Sequence, residues 1–402
     1  HPALPSTEST RIFGVPVPGT AASLLVPGVG CVNACKFCCT SHFFGKAYTA
    51  YLSTGKQLFE TASAIAERRG TNEFFVMDEN FLKDRDRALD LVAEMEAHER
   101  FFEFQIFSSA EAITAFGVDN LERLGVTFIW IGVESSSEEG NFAKNHGIDP
   151  RKLVKELRDR GIIVLASGIL CAEHHTPENI GKDIDFMVQL ESDFVQFMLL
   201  TPLPTTALYL DQKKRGLLRE DLPFEEWHGQ NELSFRHPHF PGDSAAHWIR
   251  HAFQEDYRRN SSSMTRVMDT TIRGYDRLHS KGDLPPILEA RRLKMTQRLR
   301  EWSSIMGVIK QHAINDQERE RANSLDRQLL QRLPMTLARR LERVGAQALA
   351  AAWLARIKLF GDRIQPHTIL TRYLRGQRDG VLPVPTRISA TEVAAKGYRQ
   401  VG

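Results

Sequence analysis

Six short apolar runs, each followed by a stretch with helical periodicity, constrain this chain more than any other feature. The runs are 21–26, 73–77, 102–107, 127–133, 162–169 and 194–200. Most are continuous rather than alternating, the pattern of strands covered on both faces of a parallel sheet. Between them, Ala88, Leu91, Val92 and Met95 recur at i, i+3, i+4 and i+7, on one face of a helix. Leu153, Val154 and Leu157 repeat that spacing ahead of Gly161, a C-terminal cap. Thr176 and Pro177 read as a helix start, with Ile180, Ile184, Met187 and Val188 as its inner face. Strand–helix units in series mean parallel strands joined by right-handed crossovers. Six units are too few for the closed eight-stranded form. The expectation is therefore an α/β fold, a partial (β/α)6 TIM-type barrel, with a doubly wound sheet as the alternative.

After Pro204 the texture changes. Residues 205–245 are rich in aromatics and histidines, and from Ala245 the pattern is helical, arginine-rich and without strands. The expected division is a linker at 1–18, a core barrel at 19–240, a helical C-terminal domain at 241–376 and a loosely ordered tail at 377–402. The chain opens on His1 with no secretory pattern, so the linker is expected to descend from a missing upstream domain.

The 402 residues are 42% apolar and 25% charged, enough for a sizeable core. A formal net charge of +2 is too small to make nucleic acid the main partner. No apolar run reaches the ~20 residues a membrane helix needs; the nearest, 348–360, is broken by Arg356 and Lys358. Four of the five cysteines crowd into Cys31, Cys35, Cys38 and Cys39. One knot of thiols in a long chain reads as a metal or cluster site in a reducing compartment, with the cytoplasm as the expected location.

Cys31-x3-Cys35-x2-Cys38 directly follows the first strand. Thiolates are the soft ligands of iron–sulfur clusters, which usually take four. Three leave one iron open to a chelating substrate. Gly28 and Gly30 let the loop turn, and Phe37 would shield a cluster from water. A zinc-binding interaction module or an electron-carrying cluster are the alternatives. Structural zinc normally takes two separated ligand pairs, and the chain has no second pair.

This loop resembles the signature of the radical S-adenosylmethionine (SAM) superfamily, Cys-x3-Cys-x-aromatic-Cys. The resemblance implies a 4Fe–4S cluster on Cys31, Cys35 and Cys38 that reductively cleaves SAM to a 5′-deoxyadenosyl radical. Other strand ends carry it further. Asp78-Glu79-Asn80-Phe81 matches the segment near the methionine amino group. Glu134 stands where the family places a polar residue for the ribose hydroxyls, and Gly168 where a glycine lies against adenine. The run from Leu200 through Thr201 to Leu208 resembles the Thr-Pro-x-Pro-Gly-Thr-x-Leu segment of the cobalamin-linked branch, with Thr205 in place of the glycine, so the loop geometry is expected to differ. Trp227 and 235–238 resemble that branch too.

The resemblance implies a cobalamin-dependent methyltransferase whose corrin domain is not in this chain. A cobalamin-independent rearrangement, cyclisation or carbon–carbon coupling is the alternative. Cys171, His174 and His175, at the barrel mouth, are candidates for substrate contact. Implied partners are a small-molecule or lipid-like substrate and a ferredoxin or flavodoxin as reductant. Basic helices at 290–300 and 337–358 admit contact with a membrane surface, although a solvated face is the simpler expectation.

Overall fold

The computed structural model describes residues 22–136, 147–242 and 244–361, together with four two-residue strands outside them. Of those, β1 (Arg11–Ile12) pairs with β2 (Val15–Pro16). β3 (Ser23–Leu25) is followed by β4 (Gly28–Gly30), the short helix α1 (Cys39–Phe43) and β5 (Tyr48–Ala50). Strand–helix units then succeed one another: α2 (Gly55–Arg69), β6 (Glu73–Val76), α3 (Arg85–Ala97), β7 (Glu103–Phe107), α4 (Ala110–Phe116), α5 (Val118–Leu124) and β8 (Val126–Glu134). The series ends with α6 (Pro150–Asp159), β9 (Ile163–Leu170), α7 (Ile180–Val188), β10 (Phe194–Leu199) and α8 (Ala207–Lys214).

Strands β3, β6, β7, β8, β9 and β10 form one parallel sheet in that order. Each of the six expected runs contributes one of them. A doubly wound sheet reverses its strand order partway along. Here each new strand adds to the same side, so the crossovers stay on one face and the sheet curls as a barrel does. β3 and β10 remain at its two edges.

The two faces are not equally covered. Phe74, Val76, Phe104, Ile106, Ile129, Ile131, Val164 and Ala166 are buried in the main core. The expected inner faces of α3, α6 and α7 join them there, including Leu91, Met95, Leu157 and Ile184. The alternate positions Phe75, Gln105, Phe107, Phe128, Trp130, Leu165 and Ser167 are only half-buried. The apolar runs had suggested cover on both sides. Six strands leave the barrel open, so the inner face is not filled by side chains as in the closed eight-stranded form. Helix α7 also begins at Ile180 rather than beside Pro177, because 177–179 form a turn in which Asn179 hydrogen-bonds the Thr176 amide and the His174 carbonyl.

Beyond the barrel come α9 (Ser244–Asn260), α10 (Ser263–His279), α11 (Pro286–Gln311), α12 (Asp316–Arg332) and α13 (Leu337–Phe360), then the paired strands β11 (Ile369–Leu370) and β12 (Thr386–Arg387). Contacts divide the chain into a unit at His1–Gln347 and another at Ala348–Gly402. The first unit runs through the expected boundary at residue 240 because the helices grip the barrel. At the crossing of α10 with α6, a Cβ on Gly274 would lie 2.5 Å from the Gly161 Cα, and Gly161 has φ +70 as the cap of α6. Buried Arg158 donates to Thr270 Oγ1 at 2.9 Å and lies 3.4 Å from buried Asp193. Asp193 in turn accepts from the Thr270 hydroxyl and the Val164 amide. A smaller core of Met268, Ile272, Leu299, Met306, Leu325 and Leu329 ties α10, α11 and α12 together. Most of the tail expected at 377–402 and most of the 1–18 linker lie outside the described residues.

The N-terminal end of the barrel closes on charge. Glu73 pairs in register with Glu103, and Arg298 of α11 reaches Glu103 at 2.8 Å. Burial, with the Glu103 charge beside it, pushes the Glu73 carboxyl up to about 7. A carboxyl raised on folding contributes full stability below its unfolded value, near pH 4.5, and loses it as pH rises towards 7. Glu73→Gln should therefore gain ~1–3 kcal/mol over the parent at pH 8 relative to pH 5, measured as thermal or urea unfolding at both pH values.

Candidate active site

The cysteine loop is stapled at both ends. β4 and β5 pair antiparallel, Gly28 with Ala50 and Gly30 with Tyr48, so residues 31–47 leave and return at one point beside the first barrel strand. Both glycines are demanded. A Cβ on Gly28 would meet Tyr48 Oη at 2.3 Å, and one on Gly30, at φ +94, would meet the Ala47 carbonyl at 2.2 Å. Within the loop, the Cys38 amide donates to the Cys35 carbonyl at 3.0 Å. Ala34 is left-handed, and its amide donates to Ser41 Oγ, whose hydroxyl donates to the Cys31 carbonyl. The Leu208 amide donates to the Lys36 carbonyl at 3.1 Å, tying the loop to the helix after the last strand. Phe37 packs half-buried against the main core.

Cys31, Cys35 and Cys38 are half-buried and form no disulfide. Burial raises the Cys38 thiol, with the Cys31 and Glu79 charges adding to the effect. Three soft thiol donors on one short loop are the ligand chemistry of an iron–sulfur cluster.

Asp78 and Asn80, with Gly30, Cys31, Tyr48, Lys83 and Arg87, line a cleft of about 500 Å³ beside this loop. Asp78 is buried and already engaged. It accepts from Tyr48 Oη at 2.6 Å and from Arg87 at 3.0 Å, and Arg87 also donates to Tyr48 Oη at 2.7 Å. Burial and the Asp78 charge hold the Tyr48 phenol above its usual range. The triad locks the return strand of the cysteine loop to the second barrel strand. Sequence reasoning missed Tyr48 and Arg87. The signal was there, since Arg87 sits four residues before Leu91 on the buried face of α3. Asn80 joins strand ends in the same way, accepting from the Ser108 hydroxyl and the Ser109 amide and donating to Ser109 Oγ. Glu79 accepts from Thr40, while desolvation raises its carboxyl.

Glu134 ends β8, buried and left-handed at φ 69. The register between β8 and β9 slips just before it, so Glu134 rather than Val133 pairs with Gly168. Such bulges re-aim a side chain, and a left-handed non-glycine residue persists only where its surroundings impose it. The imposing contacts follow at once. Asp183 of α7 accepts from both the Ser135 and Ser136 hydroxyls, from the Ser136 amide at 3.0 Å and from His175 Nε2 at 2.9 Å. Burial works to raise Asp183, but these donors hold it down at about 2. Gly168 has a packing reason: a Cβ there would meet Met187 of α7 at 3.1 Å, on the helix side of the sheet. Ser167 is the neighbour on the open face.

The remaining candidates divide. Cys171 is buried and left-handed, and burial pushes its thiol up to about 12, so it stays protonated. His174, His175 and Asp183 bring ligand atoms within 4.8 Å, as a metal site would. However, His175 Nδ1 accepts from the Ala172 amide, which leaves its proton on Nε2 for Asp183. With both nitrogens taken, the cluster positions the 134–136 loop rather than binding an ion. Buried His237 donates from Nε2 to the Ala172 carbonyl at 3.0 Å and fastens the same corner. The Thr201 hydroxyl donates to the Leu199 carbonyl. Thr205 is exposed and left-handed at φ 74, a conformation that favours glycine.

Two measurements check these readings. Asp183→Asn should lose ~1–3 kcal/mol in urea unfolding, because an amide cannot accept all four bonds. Thr205→Gly should gain ~0.5–1 kcal/mol, since it removes the strain of a β-branched residue at positive φ.

A protein-family model described as the Radical SAM superfamily matches residues 25–187. That span contains the cysteine loop and every strand-end candidate except Thr201. The chain is 23% identical over 209 residues to an uncharacterized methyltransferase of Pyrococcus horikoshii, covering 51% of this chain and 45% of that protein. It is 25% identical over 231 residues to the bacteriochlorophyllide d C-8(2)-methyltransferase of Chlorobaculum tepidum, covering 54% and 49%. The chain thus spans about half the length of these curated relatives. Among solved structures, the radical SAM methyltransferase TsrM of Kitasatospora setae, with cobalamin and a [4Fe-4S] cluster bound, aligns at a TM-score of 0.49 and 16% identity, over 70% of this chain and 61% of that one.

Proposed function

The chain carries a radical SAM domain at residues 25–187, and from that premise we propose that it is a radical SAM methyltransferase that methylates an unactivated carbon of a small-molecule substrate. The observation that carries the reading is a loop of three soft thiols pinned at the barrel mouth beside the Asp78–Asn80 cleft. The three half-buried thiols of Cys31, Cys35 and Cys38 suit a 4Fe–4S cluster with one open iron. When bound, that cluster supplies the electron that splits SAM into methionine and a 5′-deoxyadenosyl radical able to take hydrogen from carbon.

The chain's own residues do the rest. Phe37, packed on the core, keeps water from one side of the thiols. Glu79 and Asn80 border the methionine end of SAM, and Tyr48, Asp78 and Arg87 hold that border rigid. Glu134, aimed by its bulge and by the Asp183 anchor, accepts from the ribose hydroxyls. The backbone around Gly168 borders the adenine, and Thr201 the opposite edge. Cys171, a neutral thiol buried in the core at the end of β9, packs the corner behind the mouth.

Methyl transfer rests on the names of the two curated relatives. Cobalamin as methyl carrier rests on the resemblance of the 200–208 run, in which Thr205 stands in place of the usual glycine. No residue of this chain is assigned to the corrin. A ferredoxin or flavodoxin supplies the electron. Among the described residues, no helix is long and apolar enough to cross a membrane.

Anaerobic reconstitution with iron and sulfide, followed by dithionite and SAM, should yield 5′-deoxyadenosine. Cys35→Ala should abolish the product and the bound iron while leaving the far-ultraviolet circular dichroism unchanged. An intact cluster that gives no 5′-deoxyadenosine would overturn the enzyme reading.

A further inference from the structure

The open inner face of the barrel has a chemistry of its own. Residues there alternate with those buried under the helices, so Phe75, Phe107 and Trp130 from three neighbouring strands project into the barrel. Their rings form one row. Phe75 and Phe107 meet edge to face at 5.6 Å, and Phe107 stacks on Trp130 at 5.0 Å and 27°. Each ring stays half-exposed. Lower down, Phe128 meets Phe194 at 6.0 Å.

Charge is confined to the two ends. Glu73 and Glu103 sit at the N-terminal end, where Arg298 pairs with Glu103, and Glu134 marks the C-terminal mouth. Between them, the polar side chains on the inner face of the described strands are the neutral Gln105, Ser167 and Gln196. Trp130 lies four residues below Glu134, about 13 Å at the rise of an extended strand. The row is therefore a wall partway down the barrel, reaching the middle of β8.

We propose that this wall binds the substrate, and that the substrate is a planar conjugated or aromatic ring system with no charge on the part that enters the barrel. Half-buried rings set face and edge to one another offer offset-stacked contact to a flat molecule, worth more than the buried area alone. A phosphorylated or sugar-like ligand would bury its charges or hydroxyls against rings without enough partners. A flexible alkyl chain would lose rotamer freedom and gain no stacking. The assignment rests on the radical methyltransferase reading for what becomes of the ring, while ring binding itself is measured without turnover.

The anaerobically reconstituted enzyme is titrated by equilibrium dialysis with indole and pyrene, with 1-decanol and uridine diphosphate glucose as competitors. We expect saturable ring binding that weakens about tenfold or more in Trp130→Ala, returns in Trp130→Phe and resists both competitors. Phe107→Leu is the second variant if Trp130→Ala loses cooperative unfolding, and it should weaken binding in the same direction. Ring binding unchanged in both variants, or 1-decanol competing as well as the rings do, overturns the proposal. Formation of 5′-deoxyadenosine is followed in the same preparations. In the parent enzyme, ring binding without 5′-deoxyadenosine counts against the radical reading alone, and 5′-deoxyadenosine without ring binding counts against the wall alone.

Discussion

Parallel pairing in strict chain order is the constraint on which everything else hangs. A parallel strand can be reached only by a crossover, and each crossover here returns the chain to the same side of the sheet. Two results follow from that one fact. The helices all pack on one face, which leaves the other face free. The C-terminal ends of all six strands also meet along one rim, so residues as far apart as Cys31, Asp78, Ser108, Glu134, Cys171 and Thr201 become neighbours of one space.

The rim is also where the backbone is strained. Glu134 and Cys171 end or follow strands in left-handed conformations, and Thr205 does the same in the loop after β10. None is glycine, so each conformation has to be imposed by contacts around it. For Glu134 those contacts are visible in the Asp183 anchor with Ser135, Ser136 and His175. For Thr205 the next residue supplies them. The buried hydroxyl of Thr206 caps α8 by accepting from the Tyr209 amide, and it donates to the Leu203 carbonyl. Charged and polar side chains at the rim therefore serve mainly to hold geometry. Asp78 is the plainest case: its carboxylate is committed to Tyr48 and Arg87, which stiffens the cleft wall.

Much of this could be read in advance. Continuous apolar runs separated by amphipathic stretches carry their periodicity locally, so all six strands and the buried faces of α3, α6 and α7 were legible. The cysteine spacing was legible too, because ligand chemistry depends on residue type and short separations. Pairings between distant residues were not. Tyr48 and Asp78 are thirty residues apart, and nothing in either segment announces the other. Nor does anything local show that the missing side chain of Gly168 makes room for Met187. His175 looked like a reactive group, yet both its ring nitrogens are spent on structure.

By itself, the sequence determined the order of elements, the soft three-thiol loop after the first strand and the direction in which the sheet is wound, because these depend on periodicity, residue type and chain connectivity. Only the tertiary structure decided which polar groups were left over for chemistry, since a side chain's availability depends on what else reaches it once the chain is folded. It also decided that the inner face of the sheet stays open and ringed with aromatics. Six strands curl without closing, and no local pattern in the apolar runs distinguishes a face that packs against helices from one that faces the barrel's interior.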